Sequence, residues 1–265
     1  MASLQNQQPS HEEQQQQSVP YTQANNLLTS FAQFLTICIH NILYYRSIYP
    51  SQTFLTSRAY NLPVHQSRHP KVCSWIRDAV DAVKGQLVLG AVERIAVVIY
   101  DGQARVMERW MFDVANFPAW KGFFKEARGG GPRMTDEEDA LAEGAEGATI
   151  EGKVNWANVD EQLRATVRKL AFSAEKMASL PEGCTFTVAV ELRDEGEAPI
   201  GHPQPWIPSQ SNLQTKSKDN PTPGQDIGGA KTTPLRAVEA GPLFFECWVE
   251  EGKAKEQLSS QSSSE

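Results

Sequence analysis

A chain of 265 residues with 40% hydrophobic and 22% charged residues has the makeup of a globular protein with a real core, and its length leaves one large domain or two small ones open. A formal charge of −7 argues against an electrostatic grip on DNA or RNA, which needs a basic face, so any link to nucleic acid is expected to run through a partner. Cys38, Cys73, Cys184 and Cys247 form no CxxC pair, which disfavours zinc ligation and a secreted disulfide framework and points to reduced, mostly buried thiols.

Residues 1–21 are Gln-rich and without apolar periodicity, and read as a disordered leader. They lack a basic stretch followed by an apolar run, so no signal peptide is expected. No unbroken apolar run approaches the roughly 18–20 residues that span a bilayer, and a soluble intracellular protein is expected. From Thr22, the residues Leu28, Phe31, Leu35, Cys38, Ile42 and Tyr45 recur at spacings of three and four, predicting a helix that ends before Pro50. Leu27, Phe34, Ile39 and Leu43 widen the stripe, as expected of a central helix.

The stretch 53–64 is β-like, with Pro63 suited to an edge strand or loop. A second helix is predicted from Pro70, its apolar face carried by Val72, Ile76, Ala79, Val83 and Leu87, with Gly90 ending it. Arg94 to Tyr100, the dipeptide Asp101-Gly102 and then Val106, Trp110, Phe112 and Val114 read as a β-hairpin. Residues 123–155 hold Gly129-Gly130-Gly131 and the acidic run Asp136, Glu137, Glu138 and Asp139, and read as a solvated insertion.

A third helix is predicted from about Val159 to Leu180, with Leu163, Val167, Leu170, Ala174 and Met177 on one face and Arg164, Arg168 and Lys169 off it. Phe186, Val188, Val190 and Leu192 alternate as a strand. Beyond Arg193, four prolines surround Trp206, and 209–233 reads as a loose tether. Leu243 to Val249 is strand-like, and 252–265 is a Ser-rich acidic tail. A strand arriving so late must join a sheet already built, and it can be fastened or released as a unit. Gly183 to Val249 is therefore expected to grip a partner peptide.

No catalytic constellation emerges: the chain has no GxSxG elbow, Walker loop, HExxH or strand–GxGxxG–helix unit. His65 and His69 lie between Pro63 and Pro70, which argues against a shared helical face for metal. The acidic run lacks the alternating spacing and glycine of a calcium loop, and Gly129–Gly131 has no Lys-Ser/Thr after it. Tyr60, Trp206 and Trp248 are candidate contact residues. An average aromatic belongs to the core, but Trp206 sits in a Pro-rich, non-periodic segment where aromatics anchor partners. Arg164 and Arg168 fit a solvated face or an interface anchor equally well.

The strings Phe34 to Arg46, Ile48-Tyr49-Pro50, Tyr60-Asn61-Leu62-Pro63-Val64, His69-Pro70, the hairpin at 92–101 and Gly183-Cys184-Thr185-Phe186-Thr187-Val188, taken in order, resemble the HORMA-domain family, in particular its branch of accessory subunits of DNA polymerase zeta. The likeness runs from about Ala24 to Glu251. It implies an α+β fold, three helices on an antiparallel sheet, with a mobile C-terminal safety belt at 199–249 that wraps an extended partner peptide. The domain would then span 22–251.

The resemblance also implies a non-catalytic adaptor without cofactor, in the nucleus, with the cytoplasm as a second location. Its implied partners are the catalytic subunit of DNA polymerase zeta, which supplies a proline-containing peptide, a scaffold translesion polymerase, and a second HORMA domain; DNA is met only indirectly and no membrane is involved. By the same resemblance Tyr60 and Trp206 line the peptide channel, Arg164 serves domain pairing, and Thr232, Glu246 and Trp248 face the scaffold polymerase. Thr232 stands where the family has leucine, and Glu246 where it has an amide. A spindle-checkpoint or meiotic-axis HORMA adaptor is the alternative within the fold; a small hydrolase is the alternative outside it, for which no nucleophile–base pair can be named.

Overall fold

The computed structural model describes residues 21–117, 154–193, 206–209, 211–214, 216 and 221–262. The leader, the glycine run, the acidic run and most of the insertion lie outside the described residues.

The apolar stripes become α1 (Tyr21–Tyr45), in which Leu27, Leu28, Phe31, Phe34, Leu35, Cys38, Ile39, Ile42 and Leu43 are all essentially inaccessible to solvent. One expectation needs correction. Gln23–Tyr45, with a mean hydropathy of 1.4, is long and apolar enough to cross a bilayer by length and composition. Single polar residues such as Thr36, His40 and Asn41 break every long apolar run without lowering the average below that mark. In this fold the helix is the centre of the core.

The β-like stretch is a hairpin. β1 (Phe54–Ala59) pairs antiparallel with β2 (Leu62–Ser67), and the turn residues Tyr60 and Asn61 both take left-handed φ, 49° and 56°. Pro63 sits opposite Arg58 in this two-stranded sheet, where either strand is an edge and a missing N–H is harmless. α2 (Pro70–Val88) starts with proline in its first turn and buries Ile76, Val80, Ala82, Val83 and Leu87. Val80 takes the inward position expected of Ala79, which is half-buried.

β3 (Val92–Tyr100) and β4 (Val106–Asp113) form the predicted hairpin. Its left-handed residue is Ala104 (φ 60°), not Gly102. The turn is organised by Asp101, whose Oδ1 accepts the N–H groups of Gln103 and Arg105, both at 2.9 Å. α3 (Trp156–Lys176) begins where the Asn155 side chain accepts the Asn158 N–H at 3.1 Å, and it buries Val159, Leu163, Val167, Leu170 and Ala174. It ends at Lys176, ahead of the expected Leu180.

β5 (Thr185–Leu192), β6 (Lys231–Ala240) and β7 (Leu243–Glu251) complete a sheet of order β5-β3-β4-β7-β6, antiparallel throughout. β6 starts at Lys231, inside the stretch read as tether, and a short 3-10 turn occupies Ser211–Leu213. A fourth helix, α4 (Lys253–Ser262), follows β7 where a tail was expected. The helices pack on one face of the sheet, where Ile95, Val97, Trp110, Phe112, Phe245, Cys247 and Val249 meet α1. The opposite, outer face carries a second, smaller apolar cluster.

Candidate functional site

Two edges bound the five-stranded sheet, and they differ. β6 alternates exposed charged residues with buried ones, and its proline and charges blunt it against further pairing. β5 pairs with β3 from Val92↔Leu192 to Tyr100↔Thr185, and among the described residues no strand lies on its other side. That leaves a row of backbone N–H and C=O groups available to an extended chain. Thr185 is exposed and every other β5 residue is half-buried.

Beside that open edge lies an aromatic shelf. The Phe186 ring meets Trp75 of α2 edge-on at 5.1 Å and Tyr49, just beyond α1, at 6.5 Å. All three, with Val188 and Val190, rest half-buried on the main core. Trp206 also packs half-buried on this core, whereas its neighbour Ile207 is 83% exposed. Leu213 lies on the outer face of the sheet, beside β5 residue Ala189. Between Trp206 and Leu213 the chain therefore passes from the helix-covered face to the opposite face.

Tyr60, at the tip of the β1–β2 turn, packs on the same core as Trp206. Burial, reinforced by the Cys38 thiol and the Asp160 carboxylate, pushes its hydroxyl well above the usual tyrosine range. Its position is thus where the hairpin tip meets α1 and the start of α3.

Arg164 projects from α3 and pairs with Glu161 at 3.0 Å. Arg164, Arg168, Lys169 and Phe172 line an open groove of ≈ 560 Å³ against Leu235 and Arg236 of β6. Phe172 is 50% exposed, with the Lys176 ammonium 4.5 Å from its ring centre. Arg236 donates to Gln162 Oε1 at 2.7 Å, fastening β6 to α3.

Thr232, Glu246 and Trp248 fall together on the outer face. Thr232 is opposite Glu250, Trp248 is opposite Pro234 and Met111, and Glu246 is opposite Ala237 and Asp113. Thr232 and Glu246 are exposed and Trp248 is half-buried, its indole N–H donating to Glu250 at 2.8 Å. Arg109 holds Glu250 at 3.1 Å and Glu191 of β5 at 2.5 Å, tying three strands across this face.

His65 and His69 belong to different elements, a strand and the residue before α2; His65 stacks on the Tyr44 ring at 3.4 Å. Among the described residues no cluster of three or more His, Cys, Asp or Glu side chains could hold a metal ion. All four cysteines are free thiols, and burial pushes Cys38 and Cys247 well above the ordinary range. Sequence reasoning did not single out the aromatic shelf of Tyr49, Trp75 and Phe186. The strand of Phe186 and the helix of Trp75 were legible, but the openness of β5 depends on strand order.

The HORMA domain profile matches residues 28–233 of the chain. The chain is 30% identical over 222 residues to the DNA polymerase zeta processivity subunit of Schizosaccharomyces pombe, covering 83% of this chain and 90% of that protein. It is 27% identical over 228 residues to the mitotic spindle assembly checkpoint protein MAD2B of Danio rerio, covering 84% and 90%. In fold it is similar to C. elegans HTP-2 bound to the HIM-3 closure motif, with a TM-score of 0.54 at 16% identity over 87% of this chain and 91% of that one.

Proposed function

The chain belongs to the HORMA-domain family, and on that footing we propose that it is a non-catalytic adaptor subunit of a translesion polymerase of the DNA polymerase zeta type. It captures an extended, proline-containing peptide of the catalytic subunit along the open edge of β5. The observation that carries this reading is that edge: a strand with no neighbour on its outer side among the described residues, flanked by Phe186 and Trp75, with the chain changing faces of the sheet between Trp206 and Leu213. Backbone pairing supplies affinity, and the aromatic shelf with Trp206 and Tyr60 selects proline and aliphatic side chains.

In the same reading, Thr232, Glu246 and Trp248 receive the scaffold translesion polymerase, Arg164 serves pairing with a second HORMA domain, and the protein works in the nucleus, with a cytoplasmic pool as a further possibility. The names of the S. pombe and D. rerio relatives support the pathway. The word "checkpoint" in the second name also favours, as the other reading, a spindle-checkpoint adaptor on the same edge. Capture from cells followed by mass spectrometry separates them, polymerase subunits standing for the first and checkpoint proteins for the second.

The direct test is calorimetry with a synthetic proline-containing peptide of the catalytic subunit. Trp206→Ala is expected to weaken binding by at least ~2 kcal/mol, the scale of an interface hot spot. An unchanged affinity in a folded variant would count decisively against Trp206 as the anchor. N-methylation of alternate peptide amides, which removes ladder hydrogen bonds at about 1 kcal/mol each, is expected to weaken binding about tenfold or more.

A further inference from the structure

The outer face of the sheet holds an apolar patch separate from the main core. Ala96 and Val98 of β3 and Val106 and Met111 of β4 are buried there, although among the described residues no helix joins this patch; Tyr100, Ala189 and Trp248 stand around them. Among the described residues of the connection between β5 and β6, the side chain packed into this patch is Leu213, 7% exposed. It comes from the 3-10 turn Ser211–Leu213 in the connection between β5 and β6. Among the described residues of 206–230, Leu213 is the one that is buried.

The turn that carries Leu213 is held by polar contacts of its own loop. The Asp226 N–H donates to Asn212 O at 3.0 Å and the Gly224 N–H to Gln214 O at 2.9 Å, while the Asn212 amide donates to Asp226 Oδ2. Lys253 of α4 donates to Gln225 O. The contact with the sheet itself is apolar and centres on one leucine, so it can be exchanged for an equivalent side chain without breaking a strand ladder.

We propose that Leu213 is a built-in plug in a docking pocket on the outer face, and that a protein partner seats there by displacing it with a leucine-sized apolar anchor. The inference rests on the reading of Thr232, Glu246 and Trp248 as the scaffold-polymerase surface, and adds its regulation. The apolar patch is bordered by Trp248 and lies on the same face as exposed Glu246 and Glu239. A partner with basic residues beside its anchor fits that border. The plug lowers the partner's apparent affinity by competing for the pocket, so the surface is open only part of the time.

Three measurements decide the matter. In the free protein, Leu213→Ala is expected to raise binding of a hydrophobic dye and shift tryptophan emission to the red, a shift that disappears when Trp248→Phe is added, with an unchanged circular dichroism spectrum. Titration with the recombinant scaffold translesion polymerase is expected to give roughly tenfold or more tighter binding by Leu213→Ala than by the native chain, and clearly weaker binding by Trp248→Ala. Hydrogen exchange of the native chain, which needs no variant, is expected to speed up at 211–214 and 224–226 when the polymerase binds, and to slow in β7. Loss of binding by Trp248→Ala with unchanged or weaker binding by Leu213→Ala overturns the plug and leaves the surface standing. Unchanged binding by both variants overturns the surface and the plug together, whereas hydrogen exchange that stays slow at 211–214 in the complex overturns the plug alone.

Discussion

His40 is held as a neutral base. It is 4% exposed, its Nδ1 accepts the Ser67 N–H at 3.3 Å, and burial lowers its pKa to about 4. In the unfolded chain the same imidazole titrates near 6.5, so as pH falls the unfolded chain takes up the proton first. The stability it contributes is complete above about pH 6.5 and is lost as pH falls toward 4. The gap corresponds to about 3 kcal/mol, of which about 2 kcal/mol should disappear between pH 7 and pH 5. Urea unfolding of the native chain and of His40→Gln at both values checks this: the native chain should lose about 2 kcal/mol more than the variant. An equal loss would mean that His40 charges freely in the fold. Residues of this kind mark the limit of pattern reading. The α1 stripe of Leu28, Phe31, Leu35 and Cys38 was legible because spacing alone fixes which side is apolar. His40 and Asn41 lie in the same helix, and only the backbone of β2, which donates from Ser67 and His65 to these two side chains, explains why polar groups are buried there.

At the scale of elements, the least expected feature is α4. The sequence 252–262 shows no apolar periodicity, because what anchors the helix is a lysine. Lys255, 5% exposed, reaches Glu108 of β4 at 2.6 Å and Glu251 at 2.6 Å. Glu108 is fully buried and is also held by Arg46 at 2.7 Å and by the Trp110 indole N–H at 3.2 Å. A lysine's partner 147 positions earlier leaves no local trace in sequence. Gly252 makes the junction: its N–H donates to Met107 O at 2.8 Å, and a Cβ there would lie 2.0 Å from Val106 O. Glu108→Gln takes the carboxylate from buried Arg46 and leaves Lys255 with Glu251 alone, and should cost roughly 3–5 kcal/mol by urea unfolding. Lys255→Met leaves Glu108 with Arg46 and should cost less, about 1–3 kcal/mol. Faster exchange of the α4 amides should accompany the Lys255 variant. The reverse order of the two costs would show that Lys255 acts mainly through Glu251 and not through Glu108. β6 was missed for a related reason: Pro234, Arg236 and Glu239 suit a blunted edge strand, yet in sequence they look like the continuation of a polar tether.

On the scale of the whole molecule, periodicity and turn signals located three core helices and several strands, and the residue strings from Phe34 to Val188, taken in order, carried the resemblance to a HORMA fold. Periodicity was not enough to order the strands, since alternation tells which face a residue takes and says nothing about its neighbour strand. The order β5-β3-β4-β7-β6 puts the two ends of the 193–231 connection at opposite edges of the sheet. A peptide paired along β5 and crossed by that connection would be enclosed by covalent chain, fastened at one end by β5 and at the other by the β6–β7 hairpin on β4. Its release would then require β6–β7 to leave β4, a step that breaks a six-residue ladder from Glu108↔Glu251 to Asp113↔Glu246 along with the Lys255–Glu108 pair. Enclosure of this kind depends on chain continuity. A protease site placed after Pro208 and cut once the peptide is bound should therefore speed peptide dissociation by about tenfold or more, followed by the fluorescence of a labelled peptide. An equivalent cut after α4 should leave the rate unchanged, because it opens no loop around β5. Equal rates after both cuts would mean that the peptide is held by edge pairing and the aromatic shelf alone, with the connection lying beside it and not over it.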